Sequence, residues 1–319
     1  MQRYLVRRLL LFFPTVFFAS LVIFTMMRVL PGDVALVIMG GDESDAAVSE
    51  ETLNALRKQL GLLDSLPVQY GKWAWSMVNG EFGGVSLVDK QPLSEIIAQR
   101  LPRTLQLTFL TFLIAIPAGI PLGIIAALYQ NRWPDYLARM LTIGGLALPN
   151  FWLALLMLLA LILWFQWTPP IFYVDFWEDP WTHLQIVIWP AIILAWGFSA
   201  YVARITRSNM LEVLRQDYVR TAYSKGLATR TVLWRHALRN ALIPVVTLTG
   251  TYLGTLLGGT VILESIFSIP GMGQGILRAA WVRDYPVVQS LAMLLVVMAL
   301  VLNLLTDIIY VFIDPRIKY

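Results

Sequence analysis

The residues with chemistry to offer are few, and most of them lie together. Between positions 204 and 239 stand Arg204, Arg207, Arg215, Arg220, Lys225, Arg230, Arg235 and Arg239. Cations at this density suit a segment lying on anionic lipid. Within it, Asp217 to Gly226 reads as a short helix that the glycine ends. A basic amphipathic helix follows, and Pro244 is placed to start the next element. Catalytic sets are missing elsewhere. The chain has no cysteine, which removes disulfides, thiolate metal sites and thiol nucleophiles together. His183 and His236 are too few and too far apart for a histidine metal cluster. No paired carboxylates, no nucleophile–base set and no Walker A pattern occur. An enzyme reading is poor, and if ATP drives this protein another subunit binds it.

The elements around these residues are made for lipid. Hydrophobic residues are 58% of the chain, charged residues 14%, and the mean hydropathy is +0.67. A soluble domain carries about a quarter charged residues, so much of this surface must face hydrocarbon. Stretches able to cross about 30 Å of hydrocarbon run at Leu9–Leu30, Leu101–Tyr129, Leu137–Phe165, Leu184–Tyr201, Pro244–Leu263 and Val287–Ile313. The third is the most uniformly apolar. The fourth is the shortest, interrupted by Pro190 and Gly197. The first follows a basic start, like a signal peptide, but it is longer than a signal's apolar region and no small-x-small site closes it. It reads as an uncleaved span. The fold class is an all-α polytopic membrane protein with six transmembrane helices.

Arginine and lysine set the orientation. Arg3, Arg7 and Arg8 precede the first span, Arg132 and Arg139 bracket the turn after the second, and Arg316 and Lys318 follow the last. The loop between spans three and four carries only Asp175, Glu178 and Asp179. Both termini and the loop 204–243 are therefore expected to be cytoplasmic. The organisation expected is a segment 1–30 with the first span, an extracytoplasmic region 31–100, and a core 101–319 with five spans. In the external region Ser49 can cap a helix that starts with Glu50 and Glu51, carries Leu53, Leu56 and Leu60 on one face, and ends at Gly61. A second amphipathic stretch, with Leu93, Ile96, Ile97 and Leu101 in phase, leads into span two. Trp73, Trp75, Trp167, Trp177, Trp181 and Trp281 fall at span ends or in outer loops, as interfacial aromatics do.

Two spans carry small residues at every fourth position. Ala115, Gly119, Gly123 and Ala127 mark span two, and Gly250, Gly254 and Gly258 mark span five. Such stripes let helix backbones approach closely. They fit packing inside this chain or against a partner subunit, and the residues leave both readings open. Ionisable groups within spans are nearly absent. Arg28, Glu264 and Asp307 stand near helix ends, where they can snorkel. That argues against proton- or sodium-coupled transport, and no selectivity-filter run or charge ring points to an ion channel.

Arg220-Thr-Ala-Tyr-Ser-Lys-Gly226 followed by Arg235-His-Ala-Leu-Arg-Asn-Ala-Leu-Ile-Pro244 resembles the coupling-loop signature of binding-protein-dependent ABC importer permeases. More narrowly it is similar to the dipeptide/oligopeptide/nickel branch, B-type subunit. Arg220 stands where the general signature has an acid. Similar too are Arg3 to Leu10 with Leu30-Pro-Gly-Asp33, Leu56 to Leu62, Gln69-Tyr70, Leu101 to Leu105, Ile120 to Gly123, Phe267 to Gly273, Arg283 to Pro286 and Asp314-Pro-Arg316. In this order and spacing they cover the whole chain.

The resemblance implies a type I ABC importer permease fold with both termini inside and a small external insertion after helix one. It implies a bacterial or archaeal cytoplasmic membrane, a second homologous permease, two cytoplasmic ABC ATPases and an extracytoplasmic substrate-binding protein. Membrane lipid surrounds the chain, and nucleic acid has no part. ATP and Mg would sit on the ATPase subunits, with no cofactor or metal on this chain. Arg220, Thr221, Ala222, Lys225 and Gly226 would form the coupling helix. Pro270, Gly271, Met272 and Gly273 would serve docking or an external gate, although a tight turn with glycine at positive φ would also account for them. Di- and oligopeptides are the first expectation for cargo, with oligosaccharides, nickel and glutathione as alternatives. A stand-alone facilitator is the competing class, but it has no reason to keep such a loop.

Overall fold

A computed structural model of the chain describes residues 2–29, 35, 49–59, 61–170 and 172–313, and every described element is helical apart from one isolated bridge. Leu30 to Asp33, Leu60, Asp314 to Arg316 and Lys318 lie outside the described residues. In chain order the helices are α1 (Gln2–Val29), α2 (Glu50–Gln59), α3 (Leu66–Val78), α4 (Leu93–Leu128), α5 (Trp133–Ala147), α6 (Asn150–Phe165), α7 (Pro180–Leu214), α8 (Asp217–Ser224), α9 (Thr229–Ile266), α10 (Met272–Trp281) and α11 (Tyr285–Ile313). Five of them are long and apolar enough to cross a membrane, and α5 with α6 makes a sixth candidate if the bent pair is one span.

Local chemistry explains most boundaries. The Ser49 hydroxyl accepts from the Glu51 amide at 3.3 Å, Glu50 and Glu51 occupy the first turn of α2, and Gly61 follows at φ +68°. Asp179 caps α7 by accepting from the amides of Trp181 and Thr182 at 3.0 and 3.2 Å and from the Thr182 hydroxyl at 2.6 Å. The Thr182 hydroxyl, with those amides, holds the Asp179 carboxyl below the usual carboxylate range.

Three expectations about the spans need correction. The third apolar stretch is not one rod: α5 and α6 meet at 105°. Leu148, before Pro149, is extended at φ −87°, ψ 131°, as the residue preceding a proline prefers. Pro149 also has no N–H to continue the ladder. The fourth stretch is not short. It lies within the 35 residues of α7, which pass through Pro190 and Gly197 unbroken and are largely enclosed by protein. Nor does Pro244 start the fifth span, because α9 begins at Thr229 and carries Pro244 inside it. After one α-helical stretch at Thr229–Thr231, Val232–Leu238 are wound as a π-helix before the α-helix resumes at Arg239.

The chain divides into two compact units. The first comprises residues 1–8, 105–269 and 299–319. Its core is α7, whose Ile193, Leu194, Phe198 and Val202 are buried among Leu107, Ala115, Ala154, Val245, Leu256 and Leu263. An aromatic ladder links α7 to α9: Tyr252 stacks on Phe198 at 5.0 Å and on Tyr201 at 4.6 Å between ring centroids. The second unit comprises residues 9–104 and 270–298. There Leu93, Ile96 and Ile97 of α4 pack with Met272, Ala279, Val287, Val288 and Leu291. The Asp284 carboxylate accepts from the Ser86 hydroxyl at 2.5 Å and from the amides of Leu87 and Val88 at 3.2 and 3.3 Å, fixing the loop before α4.

Candidate functional site

The basic segment forms its site from α8 and the turn after it. Two positions of α8 point inward: Val219 and Ala222 pack with Val232 against Val213 and Leu214. The spacing of three puts both on one face, leaving the rest of the helix exposed. Arg220 is 76% exposed and stands 3.8 Å from Asp217, which is itself in solvent. Thr221 donates back to the Asp217 carbonyl at 2.9 Å, and Ser224 to the Arg220 carbonyl at 3.1 Å.

The helix ends in a Schellman turn. The Gly226 amide donates to the Tyr223 carbonyl at 2.9 Å and the Leu227 amide to the Ala222 carbonyl at 3.4 Å. Gly226 sits at φ +76°, and a Cβ there would meet nothing within 4 Å. Glycine is needed here for the sign of φ rather than for room. Of the five residues expected on the coupling helix, Arg220, Thr221, Lys225 and Gly226 are exposed, while Ala222 serves the small core beneath. A rigid, capped, eight-residue helix between α7 and α9 is suited to receiving a push from outside and passing it to both.

In the second unit, Pro270 to Gly273 lead into α10, and three of the four are buried. Met272 is fully buried, its amide donating to the Thr104 hydroxyl at 2.8 Å. Arg100 donates to the Gly271 carbonyl at 3.0 Å and Arg103 to the Pro270 carbonyl at 3.4 Å. Gly271 has φ −92°, and Gly273 is not among the positive-φ residues, so left-handed backbone does not explain this sequence. The segment is a clamped helix start.

The small-residue stripes divide. A Cβ on Gly119 would lie 2.8 Å from the Ser199 carbonyl and from Val202 Cβ. One on Gly123 would lie 2.6 Å from the Ala203 carbonyl and Thr206 Cβ, so this stripe presses on α7. Gly250 backs onto Thr306 and Gly254 lies near Ala299 and Asn303, both on α11, whereas Gly258 opens on nothing within 4 Å. Glu264, near a helix end where snorkelling is possible, is fully buried. Asp307 pairs with Arg8 at 3.1 Å.

One buried pair escaped the sequence reading. Asp135 in α5 is fully buried and takes a two-pronged contact from Arg207 of α7, 2.8 and 2.9 Å, while Arg139 stands 3.5 Å away and the Asn131 amide donates at 3.0 Å. The i,i+4 spacing of Asp135 and Arg139 was available as a signal; Arg207, 72 residues on, was not.

Known proteins agree with this architecture. Residues 119–319 match the family described as "Binding-protein-dependent transport system inner membrane component", and residues 1–108 match the N-terminal family of such membrane components. A putative peptide transport system permease protein of Brucella abortus (strain 2308) is 41% identical over 306 residues, 96% of each chain. The glutathione transport system permease protein of Escherichia coli (strain K12) is 38% identical over 319 residues, 100% of each. Among solved structures, the inward-facing MetNI methionine ABC transporter gives a TM-score of 0.57 at 16% identity, covering 70% of this chain and 98% of that one. An amino acid ABC transporter with histidines gives 0.53 at 16% identity, covering 70% and 95%. These two likenesses are of fold. With the family matched over most of its length, the chain belongs to the binding-protein-dependent transport system inner membrane components, the permease subunits of ABC importers.

Proposed function

We propose that the chain forms half of the translocation pore of an ATP-driven importer in the bacterial or archaeal cytoplasmic membrane, and that its cargo is di- or oligopeptide. The observation that carries the reading is α8: an exposed helix with a glycine-closed end, set between the two long helices that build the core of the first unit. Arg220, Thr221, Lys225 and Gly226 are its contact surface for a cytoplasmic ABC ATPase. Closure of an ATPase pair displaces the helix as a rigid body, and α7 and α9 move with it. Two ATPases hold the ATP and Mg, a second homologous permease completes the pore, and an extracytoplasmic binding protein delivers the cargo. This chain binds no cofactor and catalyses no reaction. Peptide is supported by the relatives' names, since glutathione is itself a short peptide. The buried, clamped Pro270 to Gly273 segment fits a fixed part of an external gate better than a docking surface.

The test is Gly226→Asp in the assembled importer. Expected are normal membrane insertion and complex yield, with ATP-dependent uptake of a labelled dipeptide reduced to background. Uptake at the unsubstituted rate would overturn the coupling role.

A further inference from the structure

The second unit holds a cavity of about 510 Å³ that the transport reading does not use. Arg28, Lys72 and Lys90 line it, and no carboxylate does among the described residues. Lys72 is answered by Asp64 at 2.6 Å. Among the described residues no acid answers Arg28: its Nε donates to Gln69 Oε1 at 3.0 Å and its guanidinium lies 4.7 Å over the Phe24 ring. Asp284, beside the cavity, is already committed to Ser86, Leu87 and Val88.

Two further lining groups add unused donors. Among the described residues, Gln289, 3% exposed, finds no hydrogen-bond partner for its Nε2, and the buried Trp73 Nε1 finds none either. A buried donor without an acceptor costs about 1–3 kcal/mol. Here the surplus is of one kind, cations and donors, which calls for a ligand rich in acceptor lone pairs. An oxyanion, phosphate or carboxylate, meets that need.

Position selects between the sources. Arg28 stands in the last turn of a candidate span that ends at Val29, so the cavity is at the depth where hydrocarbon gives way to headgroups. Phe18, Val22 and Met26, at every fourth position of the same helix, are all exposed and mark its lipid-facing side. We propose that this cavity is a phospholipid headgroup site: Arg28 and Lys90 hold the phosphate of an anionic lipid whose acyl chains remain in the surrounding hydrocarbon.

Native mass spectrometry of the full-length chain, purified with its accompanying subunits, tests this by titration with phosphatidylglycerol. Inorganic phosphate and a dipeptide serve as soluble competitors. The expected result is one tightly retained lipid, with apparent affinity weakened about tenfold by Arg28→Gln and by Lys90→Gln and unchanged by Lys58→Gln. Lys90 is exposed, so its variant stays readable if Arg28→Gln fails to fold. Unchanged lipid retention in Lys90→Gln and in any folded Arg28→Gln would overturn the site. Displacement of the lipid by phosphate or dipeptide at equal concentration would overturn the lipid assignment in favour of a soluble oxyanion.

Discussion

At the end of α8 a glycine stands in open space, while one turn into α10 a glycine stands where space has run out. Gly226 has φ +76° and no neighbour within 4 Å of a Cβ position. A Cβ on Gly275, one turn into α10, would fall 2.9 Å from Leu291 Cδ1 and 3.0 Å from Arg100 Cδ. The first glycine answers a backbone requirement and the second a volume requirement. Around the first, nearly every side chain of α8 is in solvent; around the second, even the backbone carbonyls are held by arginine. An exposed helix end and a tightly packed helix start use the same residue type for unrelated reasons.

Substitutions can break that contrast, and they rank by their cost to stability. Gly275→Leu should be the most damaging. Overpacking of this kind costs about 1–3 kcal/mol or more, and a lowered thermal midpoint of the detergent-purified chain would show it. A midpoint equal to that of the unsubstituted chain would mean α10 yields more easily than its packing indicates. Thr104→Val comes next. It removes the acceptor of the buried Met272 amide and should cost about 1–3 kcal/mol, read in the same melt; no change would mean the clamp rests on the arginines. Gly226→Asn should cost least, a few tenths to about 1 kcal/mol, because asparagine tolerates the left-handed region. It should retain most of the uptake that Gly226→Asp loses. Equal loss by both would shift the explanation from the charge at the contact surface to the backbone itself.

The sequence made the coarse fold legible because the signals involved are local. Composition marks the spans, Ser49 and Gly61 mark the ends of α2, and Gly226 marks the end of α8 through the left-handed backbone that glycine adopts at least cost. The expectations that failed were those in which tertiary context overrides local preference. Pro190 and Pro244 are helix breakers by propensity, yet both lie inside long helices, since neighbouring helices can satisfy a disturbed ladder in a membrane. Pro149, in the stretch that reads as most uniformly apolar, is the proline that bends the chain. Uniform hydrophobicity hid it. The residues proposed for coupling were legible as a motif, but not which side of α8 they occupy: the inward turn of Ala222 depends on Val232, beyond the helix's own end. The oxyanion cavity had no sequence signal, because Arg28, Lys90 and Gln289 are far apart along the chain.

The buried Asp135–Arg207 pair also constrains how the molecule can be made. A chain is synthesised from its N-terminus, so Asp135 leaves the ribosome 72 residues ahead of its two-pronged partner. Leaving one member of a buried ion pair without its partner costs about 3–5 kcal/mol. Until α7 arrives, Arg139, one turn along the same helix and 3.5 Å away in the finished fold, is the cation at hand. The order of assembly is thereby written into the charges: α5 can wait with a local partner, and it is locked when α7 inserts and Arg207 takes hold of the acid.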